Sequence, residues 1–288
     1  MKDFLLRGLR AVFLEKRVPH RIRFAHRYFF DAVYETRLKR STIPVGTRIH
    51  FVYFSCRRDY QLLNLSLQSI SRMSLSWLGS VYVFEDDADP FSQQEVEALR
   101  RSWPGLVIKK SGRLAWGGRE TVDNFLKAFQ QVAELVPEHH YIAKVDSDIL
   151  FFSTQRFETV LRSGRMLIGD GHYDDYGFSQ GGLYFMRTDL VKRLEGCIHD
   201  GSVDQIIARL GTACEDQVIY EAARLLSADI WLTRLMMFPD EYRGSDRFGP
   251  KDRKKFLALH FVKDKHEMAQ YFEVLFPGRT GLEETPSS

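Results

Sequence analysis

The stretch Tyr141-Ile142-Ala143-Lys144-Val145-Asp146-Ser147-Asp148-Ile149-Leu150-Phe151-Phe152 holds an apolar run, an acidic turn and a second apolar run. The first run, Tyr141 to Val145, is short and bulky and reads as a buried β-strand that ends directly at Asp146. In open α/β sheets ligands gather beyond the carboxyl ends of the strands, so Asp146 and Asp148 stand where chemistry is expected. The two carboxylates converge on one point. Such hard oxygen donors suit Mg2+ or Mn2+, and an incomplete protein shell leaves coordination positions for phosphate oxygens. The tripeptide alone is weak evidence, because a chain of this length contains an Asp-x-Asp about once by chance. Asp87-Ala88-Asp89 is a second copy, and turn formation before Pro90 accounts for it.

Context separates the two copies. After Pro44 and Gly46, short apolar runs alternate with segments of helical period, the mark of βαβ units around a mostly parallel sheet. Ile49 to Phe54, Val81 to Phe84 and Val107-Ile108 are the strands expected before Tyr141, with Leu63, Leu67 and Ile70 marking a helix after the first. Ser92 and Glu95 form a capping box, with Phe91 and Val96 as its hydrophobic staple. Thr121 to Val136 carries Val122, Phe125, Phe129 and Val132 on one helical face. Beyond the acidic turn, Met166 to Ile168 and Leu183 to Met186 read as strands. Asp189 to Glu195, Asp216 to Leu226 and Glu267 to Leu275 read as helices.

Charge is distributed unevenly. The 288 residues carry a net +3, yet residues 1–40 hold eleven basic side chains against four acidic ones, so the remainder is acidic. Leu5, Leu9, Val12 and Phe13, then Ala25, Phe29 and Val33, fall at helical spacing, which predicts a basic amphipathic arm over residues 1–45. Such an arm fits an anionic membrane surface, and equally its own catalytic domain with the basic face solvated. No nucleic-acid motif accompanies the charge, so nucleic acid is not an expected partner. No apolar run is long enough to span a bilayer and no signal sequence is evident, so the expectation is a cytoplasmic protein, peripheral on the inner membrane face if the arm binds lipid. Cys56, Cys197 and Cys214 are scattered and odd in number, as reduced core thiols are. The domain expected from these signals spans residues 46–278, with residues 279–288 as a disordered tail.

At this point the chain resembles the GT-A glycosyltransferases, over roughly residues 47 to 265. The resemblance is carried by Asp146-Ser147-Asp148, by Gln180-Gly181-Gly182-Leu183-Tyr184-Phe185-Met186, by Cys214-Glu215-Asp216-Gln217 and by Leu259-His260-Phe261-Val262-Lys263, in that order. It implies an α/β fold of GT-A type, Rossmann-like, with a mostly parallel central sheet and flanking helices. It further implies transfer of a sugar from a nucleoside-diphospho-sugar to a hydroxyl of a glycan or lipid-linked acceptor, as in cell-surface glycan biosynthesis.

The resemblance also assigns roles. Asp146, Asp148 and His260 become ligands of Mn2+ or Mg2+, and Asp216, with Glu215 as deputy, becomes the base that takes the acceptor proton, which favours inversion. A structural reading competes for the last pair, because acidic residues are favoured at helix N-termini. Lys263 is placed to meet the departing diphosphate. Ser55, Arg58, Asp86 (or Glu85), Asn124, Lys127 and Ser147 are positional candidates for the nucleotide side. Trp116, Gln180, Gly181 and Gly182 are candidates for the sugar side, as is the ring of Tyr184, although a packed aromatic is the default for such rings.

Three rivals remain. A haloacid-dehalogenase-like phosphatase would use Val145-Asp146-Ser147-Asp148 with Ile168-Gly169-Asp170-Gly171 and Asp174, but the gap is too short for the crossover units, of roughly 30 residues each, that must separate such motifs. A sugar-phosphate nucleotidyltransferase would need a Gly-rich loop where Ser55-Cys56-Arg57-Arg58-Asp59 stands. A non-catalytic carbohydrate-binding or membrane-associated relative is opposed only by the presence of both acidic motifs.

Overall fold

The computed structural model describes residues 33–38, 40–73, 75–114, 118–171, 179–238, 250–260 and 262–277. The chain divides into two units, Met1–Ile43 and Pro44–Ser288. In the first, residues 33–38 are helical; the rest of the expected amphipathic arm up to residue 32, and the expected tail at 279–288, lie outside the described residues.

The second unit is built on a seven-stranded sheet of order β3-β2-β1-β4-β7-β6-β8. Its strands are β1 (Ile49–Ser55), β2 (Leu78–Glu85), β3 (Val107–Lys110), β4 (Tyr141–Asp146), β6 (Leu167–Asp170), β7 (Leu183–Arg187) and β8 (Ile230–Thr233). β7 runs antiparallel to β4 and β6, and every other pairing in the sheet is parallel. β1 is buried along its whole length, as its unbroken Ile-His-Phe-Val-Tyr-Phe-Ser run requires of a strand covered on both faces.

Each face of the sheet is covered by apolar helices. Val52, Phe54, Tyr82, Phe84, Ile142, Tyr184 and Met186 share a core with Val122, Phe125 and Phe129 of α3 (Arg119–Ala133), and with residues of α5 (Thr188–His199), α6 (Ser202–Leu210) and α7 (Glu215–Leu225). On the opposite face Phe51 meets Phe151 and Phe157 edge-on, which brings in β5 (Leu150–Phe151) and α4 (Thr154–Ser163). α1 (Tyr60–Ser71) is tied to β1 by the Tyr53 hydroxyl, 2.9 Å from Ser66 Oγ. α2 (Gln93–Ser102) opens on the Ser92 and Glu95 capping box that the sequence announces.

Several boundaries differ from the sequence expectation. α3 stops at Ala133 rather than Val136, its last turn tightening so that the Leu135 N–H donates to the Val132 carbonyl. α5 runs on to His199, well past Glu195. α4 and α6 were not expected. The signal for α4 is present in the chain, with Ser153 capping the Arg156 N–H and Gly164 ending the helix in the left-handed conformation at φ 62°.

A second, three-stranded sheet of order β5-β10-β9 sets the geometry of the site. β9 (Met236–Met237) and β10 (Ala258–Leu259) run parallel, and Leu259 pairs with Leu150 of β5, two residues beyond Asp148. The His260 N–H then donates to the Met237 carbonyl at 2.9 Å. The corner leading into β9 is held by Asp170, which is fully buried and accepts the N–H groups of Leu235 at 2.8 Å and Met236 at 2.5 Å. Buried Arg156 donates to Thr233 Oγ1 at 2.8 Å and to the Arg234 carbonyl at 2.9 Å in the same corner. Beyond it, α8 (Pro250–Lys255) precedes β10, and α9 (Lys265–Leu275) packs Met268, Phe272 and Leu275 into the core beneath this small sheet.

Asp170→Ala leaves two buried backbone donors without an acceptor, at a cost of about 2 to 4 kcal/mol. Urea denaturation at neutral pH checks this: the midpoint is expected to fall clearly, and an unchanged midpoint would mean that Asp170 does not hold the corner.

Candidate metal centre and the carboxylates beside it

The parallel strands reverse their order about β1, which lies between β2 and β4, so a crevice opens beyond the carboxyl ends of β1 and β4. Ser55 ends β1 and Ser147 follows β4; their hydroxyls lie 2.8 Å apart across this crevice, both buried. Asp146, Asp148 and His260 meet beside them. One ligand atom of each lies within 4.8 Å of the others. His260 Nε2 is 3.5 Å from Asp148 Oδ1 and 3.7 Å from Asp146 Oδ2, and the exposed Lys263 reaches Asp148 Oδ2 at 2.8 Å.

This donor set suits a divalent cation. Asp148 is 2% exposed, and its carboxylate is faced by two cationic groups, Lys263 Nζ at 2.8 Å and His260 Nε2 at 3.5 Å. A buried carboxylate is costly unless cations surround it. Two carboxylates and an imidazole leave positions open on the ion for further oxygen ligands.

Ionisation follows from the neighbours. Burial opposes ionisation of Asp146, but Lys144 and His260 beside it hold its carboxyl well below the usual range. Asp148 is likewise lowered, with His260 outweighing burial. Burial favours neutral His260, but the two aspartates raise it to about 9. Asp216 behaves oppositely: burial, reinforced by Glu215, pushes its carboxyl up to about 7.

The glycines explain how these groups fit. A Cβ on Gly182 would overlap the His260 ring, and one on Gly181 would sit 3.0 Å from Asp216 Oδ2. The close approach expected of Gly181-Gly182 is thus made by the chain's own imidazole and carboxylate. The Gly182 carbonyl also accepts the Asp146 N–H at 2.9 Å. Gln180 donates its N–H to the Asp170 carbonyl and is half-buried.

The other sequence candidates separate into two groups. Glu215 and Asp216 open α7 with no side-chain cap from Cys214, and Glu215 Oε1 lies 3.3 Å from the Lys144 ammonium. On the nucleotide side, Glu85 accepts the Phe91 N–H and Asp86 accepts the Ala88 N–H, so both carboxylates are engaged by their own loop. Asn124 donates to the Arg113 carbonyl, Lys127 is exposed on α3, and Arg58 is exposed with its N–H on Asp89. Trp116 lies outside the described residues. Tyr184 is buried with its ring edge-on to Phe129, so it serves the core rather than a sugar. The phosphatase reading meets an obstacle at Asp170, whose carboxylate is committed to the backbone of Leu235 and Met236, while Asp174 lies outside the described residues.

No protein-family profile matches the sequence, and no curated protein matches it. Among solved structures, the galactosyltransferase LgtC in complex with donor and acceptor sugar analogs superposes with a TM-score of 0.51 at 12% identity, over 79% of this chain and 96% of that one. The fold is the GT-A fold. Similarity at lower scores extends to the glycosyltransferase GlyE of Streptococcus pneumoniae, with a TM-score of 0.48 at 14% identity over 80% of this chain and 62% of that one. It extends also to the mannosyltransferase PcManGT of Pyrobaculum calidifontis in complex with GDP-Man and Mn2+, with a TM-score of 0.43 at 12% identity over 73% of this chain and 64% of that one.

On this GT-A frame the sequence reading missed one group, Lys144. Its side chain is 4% exposed, with the ammonium 2.5 Å from Asp146 Oδ1 and donating also to the Gly181 carbonyl. Burial works against its charge, but Asp146 and Glu215 more than offset that and raise its pKa above the ordinary lysine value. The available signal was a lysine inside an otherwise apolar strand, two residues before the first aspartate.

Because Asp146 and Asp148 raise His260 above its ordinary value, a cation that uses the imidazole competes with its proton. Calorimetric titration with Mn2+ at pH 7, in two buffers of different ionisation enthalpy, is expected to show release of about one proton and an affinity that rises toward pH 9. An unchanged Mn2+ affinity in His260→Ala would remove His260 from the ligand set.

Proposed function

We propose that this chain is a metal-dependent glycosyltransferase that moves a sugar from a nucleoside-diphospho-sugar to a hydroxyl of a glycan or lipid-linked acceptor, with Mn2+ or Mg2+ as its ion. One observation carries the reading: Asp146 and Asp148 from the end of β4, and His260 from the far end of the domain, converge beside the reversal point of a GT-A sheet. LgtC, which shares this fold, is a galactosyltransferase bound to donor and acceptor sugar analogs.

In this reading the three side chains hold the ion, which when bound would stabilise negative charge on the leaving diphosphate. Lys263 adds a positive charge at the exposed rim of the same group. Ser55 and Ser147, whose buried hydroxyls bond to each other at 2.8 Å, form the floor of the crevice in which the donor would lie. Asp216 accepts the proton of the acceptor hydroxyl as its oxygen bonds to the anomeric carbon and the bond from that carbon to the diphosphate breaks. This single displacement inverts the configuration. A carboxyl held at about 7 is a competent base near neutral pH.

Asp148→Asn and Asp216→Asn distinguish ion binding from proton transfer. Asp148→Asn is expected to abolish Mn2+-dependent donor binding. Asp216→Asn is expected to leave donor affinity within about threefold while turnover falls by about 10² to 10⁴. Ionised Asp216 is the active form, so wild-type kcat/KM should fall as pH drops below about 7, and the variant should lose that limb. A folded pKa above the unfolded value makes this group destabilising at neutral pH, so Asp216→Asn should melt no lower than its parent. Full transfer activity in Asp216→Asn would move the base elsewhere.

The excess positive charge of residues 1–40 supports a further part of the proposal, that the arm meets an anionic membrane surface and so brings the site to a lipid-linked acceptor. Sedimentation with phosphatidylserine vesicles is expected to pellet the full chain at low salt and to release it at 0.5 M salt. No pelleting at low salt would remove the membrane from this reading.

A further inference from the structure

Lys144 is a lysine in the middle of a buried strand, and its ammonium is shared. Asp146 Oδ1 lies at 2.5 Å, Glu215 Oε1 at 3.3 Å, and the Gly181 carbonyl accepts from it as well. The ring of Phe125 stands 5.6 Å away on the apolar side. A buried ammonium placed between two carboxylates is fixed in direction, because leaving either one would strand an unpaired charge in the core. The two oxygens of Asp146 therefore divide: Oδ1 faces Lys144, and Oδ2 faces His260.

Two consequences follow for the cation site. The ammonium sets the orientation in which Asp146 presents Oδ2. It also places a permanent positive charge one carboxylate away from a divalent ion, in surroundings where charges are weakly screened and repulsion is strong. Glu215 acts in the opposite sense, since its negative charge offsets the ammonium from the far side.

We propose that Lys144 is a positioning residue and internal counter-charge that orients Asp146, lowers the affinity of the site for a divalent ion, and links that affinity to Glu215 at the start of α7. The inference rests on the reading of Asp146 as a metal ligand and extends it to a residue that touches neither ion nor sugar. It makes the α7 carboxylates and the metal site parts of one charge network.

The test is Mn2+ affinity, measured by calorimetry on the full chain without sugar substrates, together with the melting temperature. Lys144→Met is expected to bind Mn2+ at least tenfold more tightly than wild type, and Glu215→Gln at least fivefold more weakly. A lysine that only supported the fold would lower the melting temperature without tightening Mn2+ binding, so a gain in affinity separates the two roles. Lys144→Met leaves two half-buried carboxylates without their shared cation and can fail to fold. The double variant Lys144→Met/Glu215→Gln removes one charge of each sign, and is expected to fold and to bind Mn2+ at least tenfold more tightly than Glu215→Gln alone. Equal affinities in that pair, or an unchanged affinity in Glu215→Gln, would overturn the inference while leaving the metal site standing. If wild type itself bound no Mn2+ at millimolar concentration, the metal site and this inference would fall together.

Discussion

Two aspartates, an imidazole and an ammonium crowd the carboxyl end of β4, and three of the four side chains are almost wholly withdrawn from water. Such a cluster survives in a protein interior only when each charge is matched, and the matching reaches well beyond the site. Lys144 draws in Gly181 and the first residue of α7. His260 requires the small sheet to deliver it and Gly182 to leave it room. Much of the architecture around β4, including the strand that runs against the others, serves to bring partners to these few atoms.

The fold was legible where burial leaves a continuous apolar run. β1 and β4 are covered on both faces and their ends fall close to the expected residues, whereas β2 begins at Leu78, three residues before the expected Val81, on a half-buried stretch with Gly79 and Ser80. The direction of β7 was not legible, because a strand buried on both faces has the same composition whichever way it runs. β5, β9 and β10 are two residues long, too short to show a period, yet they fix the position of His260.

For the site, Asp146 and Asp148 could be read from context, because an acidic turn after a buried strand has few structural explanations. His260 was found only through the resemblance, since one imidazole beside an apolar run carries no message of its own. Lys144 was passed over for a physical reason: a lysine in a strand normally extends its ammonium to water, and nothing in the local sequence reveals that Glu215, some seventy positions later, closes the other side. On the nucleotide side, one oxygen each of Glu85 and Asp86 is engaged by the backbone of the following loop, which the sequence reading did not foresee. Composition alone does not reveal which backbone groups a loop will turn toward such carboxylates.

The ring of His260 occupies the volume that any side chain at position 182 would fill, and it arrives on a strand near the end of the domain. During synthesis the ribosome therefore delivers the whole seven-stranded sheet, with its acidic turn, before the imidazole that joins it exists. The acidic turn of β4 is thus completed as a three-ligand cluster only by a residue from the far end of the domain.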